Sequence, residues 1–229
     1  MLIAGFPAGS FGTNCYVVAT GPGQECVVVD PGQDATGGVE QIVAEHGLKP
    51  VAVMLTHGHI DHMWSVVAVC GAHDNPAYIH PADRALLSDP AKGLGAAGLA
   101  LLAGLTFTEP SDVRELGAEP TIVLAGLEFT VDLTPGHTPG SVTFRLGEAA
   151  LLSGDLLFAG SIGRTDLPGG NYEDMMASLA RVVLPLPDEL AVLPGHGTAT
   201  SIGAERATNP YLREAAAGSA RSTAPTRGL

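Results

Sequence analysis

Short apolar runs recur along the chain, separated by turns rich in Gly, Pro and Asp. Residues 14–19 (NCYVVA) and 25–29 (ECVVV) flank a Gly-Pro-Gly turn, a pattern that predicts two paired strands. Asp30-Pro31-Gly32 closes the second. A helix is predicted over 36–46, with Gly47 as its stop. An apolar strand follows at 51–55, then a helix over 61–70 and a strand near 77–79. Residues 81–118 read as irregular, with a short helix near 82–87 and Gly/Ala-rich turns beyond it. Strands return at 121–124, 128–133, 141–146, 150–152 and 190–193, interrupted by a helix over 172–183 that stops before Pro185. The expected domain covers 1–212; residues 213–229, rich in Ala, Gly, Ser and Arg, are expected to be a disordered tail. Strands and helices alternate through both halves. That predicts an α/β chain with two sheets packed face to face and covered outside by helices.

Composition narrows the class. A chain of 229 residues supports one well-buried core. With 45% hydrophobic and 15% charged residues, 30 Gly and 17 Pro, it reads as a compact, loop-rich enzyme. The net charge of -13 opposes a nucleic-acid partner, and no Lys/Arg run tracks a phosphate backbone. Cys15, Cys26 and Cys70 show no CxxC spacing, which fits small buried side chains in a reducing, cytoplasmic setting. The N-terminus has no basic, apolar leader pattern. No apolar run reaches the roughly 20 residues that span a bilayer, so no membrane partner is expected.

The candidate chemistry lies in a recurrence. Four times an apolar strand ends in a turn that carries His or Asp. AVMLT runs into His57-Gly58-His59-Ile60-Asp61-His62, FTVDLTPG into His137, ALLSG into Asp155, and LAVLPG into His196. Strand ends opening on one sheet edge are where a rigid scaffold presents loop residues. His57 and His59, two apart in extended chain, point to one side, and Gly58 allows close backbone approach. Asp61 and His62 start the next helix and aim differently. Imidazole and carboxylate together suit zinc, iron or manganese.

A single such His is more often structural than a ligand. Five of the eight histidines fall in the pattern, however, while His46, His73 and His80 read as structural. One catalytic zinc needs three protein ligands. Seven candidates, His57, His59, Asp61, His62, His137, Asp155 and His196, fit two divalent ions, with Asp155 able to bridge them about 3.5–4 Å apart.

HGHIDH, TPGHTPGS, SGDLLF and LPGHG, in this order, resemble the metallo-β-lactamase superfamily from TNCYVV to TNPYL. The resemblance implies a four-layer αββα sandwich with its metals at one edge. It implies His57, His59 and His137 on one ion, Asp61, His62 and His196 on the other, Asp155 bridging, and Asp30 supporting the site from behind. GDLLFAGSIGRTDLPGG and PGHGTATSIGAERATNPYL look like the glyoxalase II (hydroxyacylglutathione hydrolase) group. Larger members carry a C-terminal helical domain that holds glutathione, so the short single-domain type is expected here.

That resemblance implies hydrolysis of a small-molecule thioester by a metal-activated hydroxide, most readily with zinc. Asp61 and Asp155 would orient the attacking group. Arg164, in GRTD, resembles a basic substrate-contact position, or else pairs structurally with Asp166; Asn171 and Tyr172 are further candidate contacts. Residues 88–108 are a flap or simply filler. GRTD also resembles the persulfide dioxygenases, which use one iron, and this gives the alternative activity. Oligomeric state is not legible.

Overall fold

The computed structural model describes residues 1–95, 98 and 100–222. The first sheet runs in spatial order β1 (Leu2–Ala8), β2 (Thr13–Ala19), β3 (Glu25–Val29), β4 (Lys49–Met54), β5 (Ala77–Ile79), β6 (Val113–Glu115). β1 to β3 form antiparallel pairs, and β3 to β6 run parallel. The second sheet holds β7 (Thr121–Leu124), β8 (Leu127–Leu133), β9 (Val142–Leu146), β10 (Ala150–Gly154), β11 (Ala191–Pro194) and β12 (Thr200–Ser201), in spatial order β12-β11-β10-β9-β8-β7. Within the first half of the chain lie α1 (Ala35–His46), α2 (Ile60–Met63) and α3 (Val66–His73). α4 (Tyr172–Ser178), α5 (Ile202–Thr208) and α6 (Pro210–Ser222) belong to the second half.

Three apolar cores mark the three spaces of a four-layer sandwich. Strand alternation assigns residues to them. On β2, Cys15, Val17 and Ala19 face α1 and α3, while Tyr16 and Val18 face the opposite sheet. On β10 and β11, Leu152 and Leu193 point between the sheets; Leu151 and Val192 point to α4 and α6. A strand apolar on both faces needs a layer on each side, which is why these strands read as unbroken apolar runs. Cys15, Cys26 and Cys70 are buried and free. Burial pushes the Cys26 and Cys70 thiols up to about 12. Among the described residues no helix is long and apolar enough to cross a membrane.

Several expectations are corrected. The helix expected over 61–70 is broken into α2 and α3. Ser65 donates its N–H to Pro31 O (2.9 Å) and its hydroxyl accepts from Ala35 N (3.2 Å), ties to the β3–α1 loop that interrupt the helical ladder. The segment 81–118 is not wholly irregular: β6 pairs with β5, and 3₁₀ turns form at Arg84–Leu86, Pro90–Gly93 and Ala100–Leu102. Residues 213–222 of the expected tail are helical instead, because α6 continues through Ser222 and packs Leu212 and Ala215 into the third core. Residues 223–229 lie outside the described residues, as do 96, 97 and 99 of the expected flap.

Candidate metal centre

Five strand ends converge on one edge of the sandwich. β3 ends into Asp30, β4 into Thr56 and His57, β8 into His137, β10 into Asp155, and β11 into His196. Backbone bonds stitch the two sheets together at this edge. Val142 N donates to Thr56 O (2.8 Å) and Asn14 N to Gly195 O (2.7 Å); within the second sheet, Gly195 N donates to Gly154 O (2.9 Å).

The seven ligand candidates come together as three overlapping groups: His57/His59/His137, His57/His62/Asp155 and Asp61/His62/His196. Within each, the ligand atoms lie within 4.8 Å of one another. Asp155 sits between the sets, Oδ2 at 3.4 Å from His137 Nε2 and 3.7 Å from His196 Nε2, Oδ1 at 3.3 Å from His62 Nε2. Despite that proximity Asp155 Oδ1 makes no aligned hydrogen bond, and His57 Nε2 has no partner at all. Buried polar atoms are almost always satisfied, so atoms left open at the centre of such a cluster fit a cation.

The imidazole edges facing away from the centre support the same reading. His57 Nδ1 donates to Thr56 Oγ1 (3.1 Å), which itself donates to Asp30 Oδ2 (2.6 Å). His62 Nδ1 donates to Asp30 Oδ2 (2.9 Å), and His137 Nδ1 to the carbonyl of Arg164 (2.7 Å). An N–H tied to an acceptor on one side leaves a lone pair on the other, the arrangement that orients metal-binding histidines. His59 differs: its Nδ1 lies 2.7 Å from His137 Nε2, and its buried Nε2 has no partner. The donor set of imidazole and carboxylate fits two divalent ions.

Burial and neighbouring imidazoles set the charges. Burial, with His62 and His137 nearby, holds His57 well below the usual imidazole range. Burial and His137 push His59 down to about 3. Burial also works against His62, but Asp155, Asp61 and Asp30 outweigh it and raise this group. His196 is raised likewise, burial being overcome by Asp61 and Asp155. For Asp61 and Asp155 burial favours the neutral acid; His62 and the other imidazoles prevail, so both carboxyls lie below the usual range.

Two features absent from the sequence reading position these groups. Asp83, fully buried, accepts from Gly58 N (2.9 Å), Thr138 Oγ1 (2.6 Å) and Gly140 N (2.8 Å). It thereby clamps the loop of His57 and His59 to the loop of His137. At the start of β2, Thr13 donates to Asp61 Oδ2 (3.1 Å), while Asn14 Nδ2 and Tyr16 OH donate to Pro194 O ahead of His196 (2.9 and 2.8 Å). TNCY was the available signal. Gly58 proves necessary because a Cβ there would meet Leu86 Cδ1 at 2.8 Å and Asp83 O at 2.9 Å.

The expected substrate contacts fare differently. Arg164 lines the cavity over the site, but its guanidinium is bound by Asp166 through two 2.7 Å hydrogen bonds. The structural pairing is thus the one formed. Asn171 instead caps α4, accepting from Glu173 N and Asp174 N, and Tyr172 OH donates to Glu214 Oε2 (2.9 Å); neither is among the residues lining the cavity. From the expected flap, Leu94 reaches that cavity, and Phe107 packs edge-on to Trp64 with ring centroids 5.6 Å apart.

The family model described as the metallo-β-lactamase superfamily matches residues 8–196. The chain belongs to that superfamily. Its relatives within the metallo-β-lactamase superfamily include an uncharacterized Mycobacterium tuberculosis protein, 49% identical over 219 residues and covering 93% of this chain and 98% of the relative. The probable metallo-hydrolase YqgX of Bacillus subtilis is 34% identical, with coverages of 90% and 95%. The hydroxyacylglutathione hydrolase GloC of Haemophilus influenzae is 31% identical, with the same coverages. Among solved structures, the B3 metallo-β-lactamase BLEG-1 superposes with a TM-score of 0.84 at 39% identity, over 92% of this chain and 99% of that one. TTHA1623 in a di-iron-bound form gives 0.77 at 39% identity, over 91% and 100%. ETHE1 from Myxococcus xanthus gives 0.74 at 26% identity, over 99% and 93%. The fold, the family and a site suited to two metal ions agree with what the motifs implied.

Proposed function

We propose that this metallo-β-lactamase superfamily member hydrolyses thioesters of a low-molecular-weight thiol, in the manner of the glyoxalase II group. One observation carries the reading. The cavity of about 470 Å³ above the two ligand sets offers no unengaged proton donor among its described titratable lining residues. His59, Asp61, His137, Asp155 and His196 all belong to the metal groups, and Arg164 is paired. A thiolate, with a pKa of about 8.5, leaves without being protonated. The amine released from an amide or β-lactam is far more basic and needs a proton. The 31% identity with GloC supports the same reading.

His57, His59 and His137 would hold one ion and Asp61, His62 and His196 the other, with Asp155 between them; zinc is the first metal to test, then iron and manganese. Divalent ions bound there supply a water acidic enough to be hydroxide near neutral pH and an electrophile for the substrate carbonyl. The chain's own groups do the orienting. Asp61, ionised and with its side chain 20% exposed, can accept a hydrogen bond from water in the cavity. Asp155, held between three imidazoles, keeps its carboxylate directed at the centre. Asp30, Thr56 and the Arg164 carbonyl hold the rings in place.

The test loads the chain with metal, measures the content per chain, and follows thiol release from a panel of thioesters with a thiol reagent. Turnover is expected with at least one. Its absence across the panel, at full loading, sinks the proposal. A second reading, a persulfide dioxygenase with a single iron, rests on the resemblance of Gly163-Arg164-Thr165-Asp166 to that group, and the 26% identity with ETHE1 leaves it open. One iron per chain and oxygen uptake with glutathione persulfide would select it, whereas the Asp61/His62/His196 group favours two ions.

A further inference from the structure

We propose that the thiol half of the substrate is uncharged and largely apolar, unlike the anionic tripeptide glutathione; this rests on the thioester reading above. Beyond the ligand groups, the cavity is walled by five apolar side chains, Phe11, Leu94, Phe158, Ile162 and Leu167, together with Ser161 and Arg164. All five apolar residues are only half-buried, so the folded chain leaves apolar surface open where they line the cavity. Phe158 also stands against His196, ring centroids 6.0 Å apart, so apolar wall and ligand set are adjacent. Apolar walls with few polar groups recognise an apolar body and exclude water around the reacting carbonyl.

Charge recognition is missing from the same walls. Glutathione carries two carboxylates against one ammonium, and binding it tightly calls for cations free to meet those carboxylates. Among the described lining residues the one cationic side chain outside the ligand set is Arg164. One edge of its guanidinium, Nε and Nη2, is taken by Asp166, whose carboxyl the Arg164 hydrogen bond holds down to about 2 and hence ionised at neutral pH, so the pair is neutral as a whole. An exposed pair of this kind opens at little cost. Even open, it brings Asp166 to the substrate along with Arg164, so the pair offers no net positive charge. Lys92, on the turn just before Leu94, is paired with Asp89 at 3.5 Å. The chain as a whole carries -13, a field that opposes an anionic substrate.

The test keeps one acyl group and one peptide skeleton and masks the charged groups of the thiol. S-D-lactoylglutathione is compared with the same thioester whose carboxylates are esterified and whose amine is acetylated, on the metal-loaded full chain. We expect kcat/KM for the neutral ester to exceed that for the charged one by about tenfold or more. Asp166→Asn, which leaves Arg164 uncompensated, should shift that ratio toward the charged ester by about threefold or more, mainly through KM. Equal rates, or preference for the charged ester, overturn this inference and leave thioester hydrolysis standing. Thiol release from neither ester, when other thioesters are turned over, overturns it also. No release from any thioester removes the parent reading and this one together.

Discussion

His62 and Asp30 form a buried pair, Nδ1 to Oδ2 at 2.9 Å, with side chains 0% and 3% exposed. The same Asp30 Oδ2 accepts from Thr56 Oγ1, and Oδ1 from Thr56 N (2.8 Å). One carboxylate at the end of β3 therefore orients two ligands, His62 directly and His57 through Thr56. Asp30 sits at a positive φ of 50°, a conformation Asp tolerates better than most residues and one that concentrates at sites. Asp30→Ala should lower metal affinity about 10–100-fold. The His62 set should empty first, since it loses its direct partner. Competition against a chromophoric chelator, read as two ions per chain falling toward one, checks this. Unchanged affinity at both sites would deny Asp30 its supporting role.

Metal binding should release protons, and the metal-free chain should be most stable near pH 6.5. His57 and His59 are depressed, His59 to about 3. Their contribution to stability is present above the unfolded value of about 6.5 and is lost as pH falls toward their folded values. His62 and His196 are raised, so their contribution is complete below about 6.5 and is lost as pH rises through their folded values. Metal-free melting temperature should thus decline on both sides of that pH. Ligation needs neutral imidazole, so the protons released on binding come from the two raised groups, His62 and His196. Calorimetric titration of metal in two buffers of different ionisation enthalpy counts them. A buffer-independent heat would contradict this assignment.

Asp83 is the third test. Asp83→Ala leaves Gly58 N, Thr138 Oγ1 and Gly140 N without their buried acceptor. The expected loss is about 2–4 kcal/mol of stability, or roughly 2–4 °C in melting temperature for each kcal/mol. Because the clamp joins the two loops that supply His57, His59 and His137, its loss should also weaken metal binding, and bound metal should raise the melting temperature by less than in the wild type. Melting curves with and without metal separate this from a remote packing defect, where metal would add the same increment as in the wild type.

The ligands were legible because most are polar residues on the turn just beyond an apolar strand, with Asp61 and His62 on the short helix that follows the first such turn. Burying so many imidazoles and carboxylates together is costly unless a cation sits among them. Asp83 was not legible. It stands in an irregular stretch beside Pro81 and Arg84, where an acidic residue resembles any surface turn, and its partners lie 25, 55 and 57 residues away. The break at Ser65 escaped for the same reason, being made by a carbonyl 34 residues earlier in the chain, Pro31 (65 − 31 = 34). β1 was missed because LIAGFPA carries Gly and Pro and shows no clean alternation; its pairing with β2 over the full strand overrides local preference. Asn171 did carry a local signal. A residue of this type followed by Glu173 and Asp174 is a helix start, and the structure uses it as one.

Gly195 separates crowding at the site from backbone strain. A Cβ there would lie 2.3 Å from Asp155 Oδ1 and 2.6 Å from His62 Cε1, both in ligand groups. Gly195 is not among the positive-φ glycines, so alanine meets no backbone penalty, and its effect must come from displacing those two side chains. Gly197, two residues on, is the converse. Its φ is +77 and nothing lies within 4 Å of its Cβ position, so alanine strains the backbone and touches nothing. Gly197→Ala should cost about 1 kcal/mol of stability and leave metal stoichiometry at the wild-type value. Gly195→Ala should bind fewer ions per chain and lose most of its turnover, with a smaller change in metal-free melting temperature. Metal analysis alongside melting curves distinguishes them. Full metal content in Gly195→Ala would mean that Asp155 and His62 move aside without consequence, and that the closeness of this turn to the ligands is incidental.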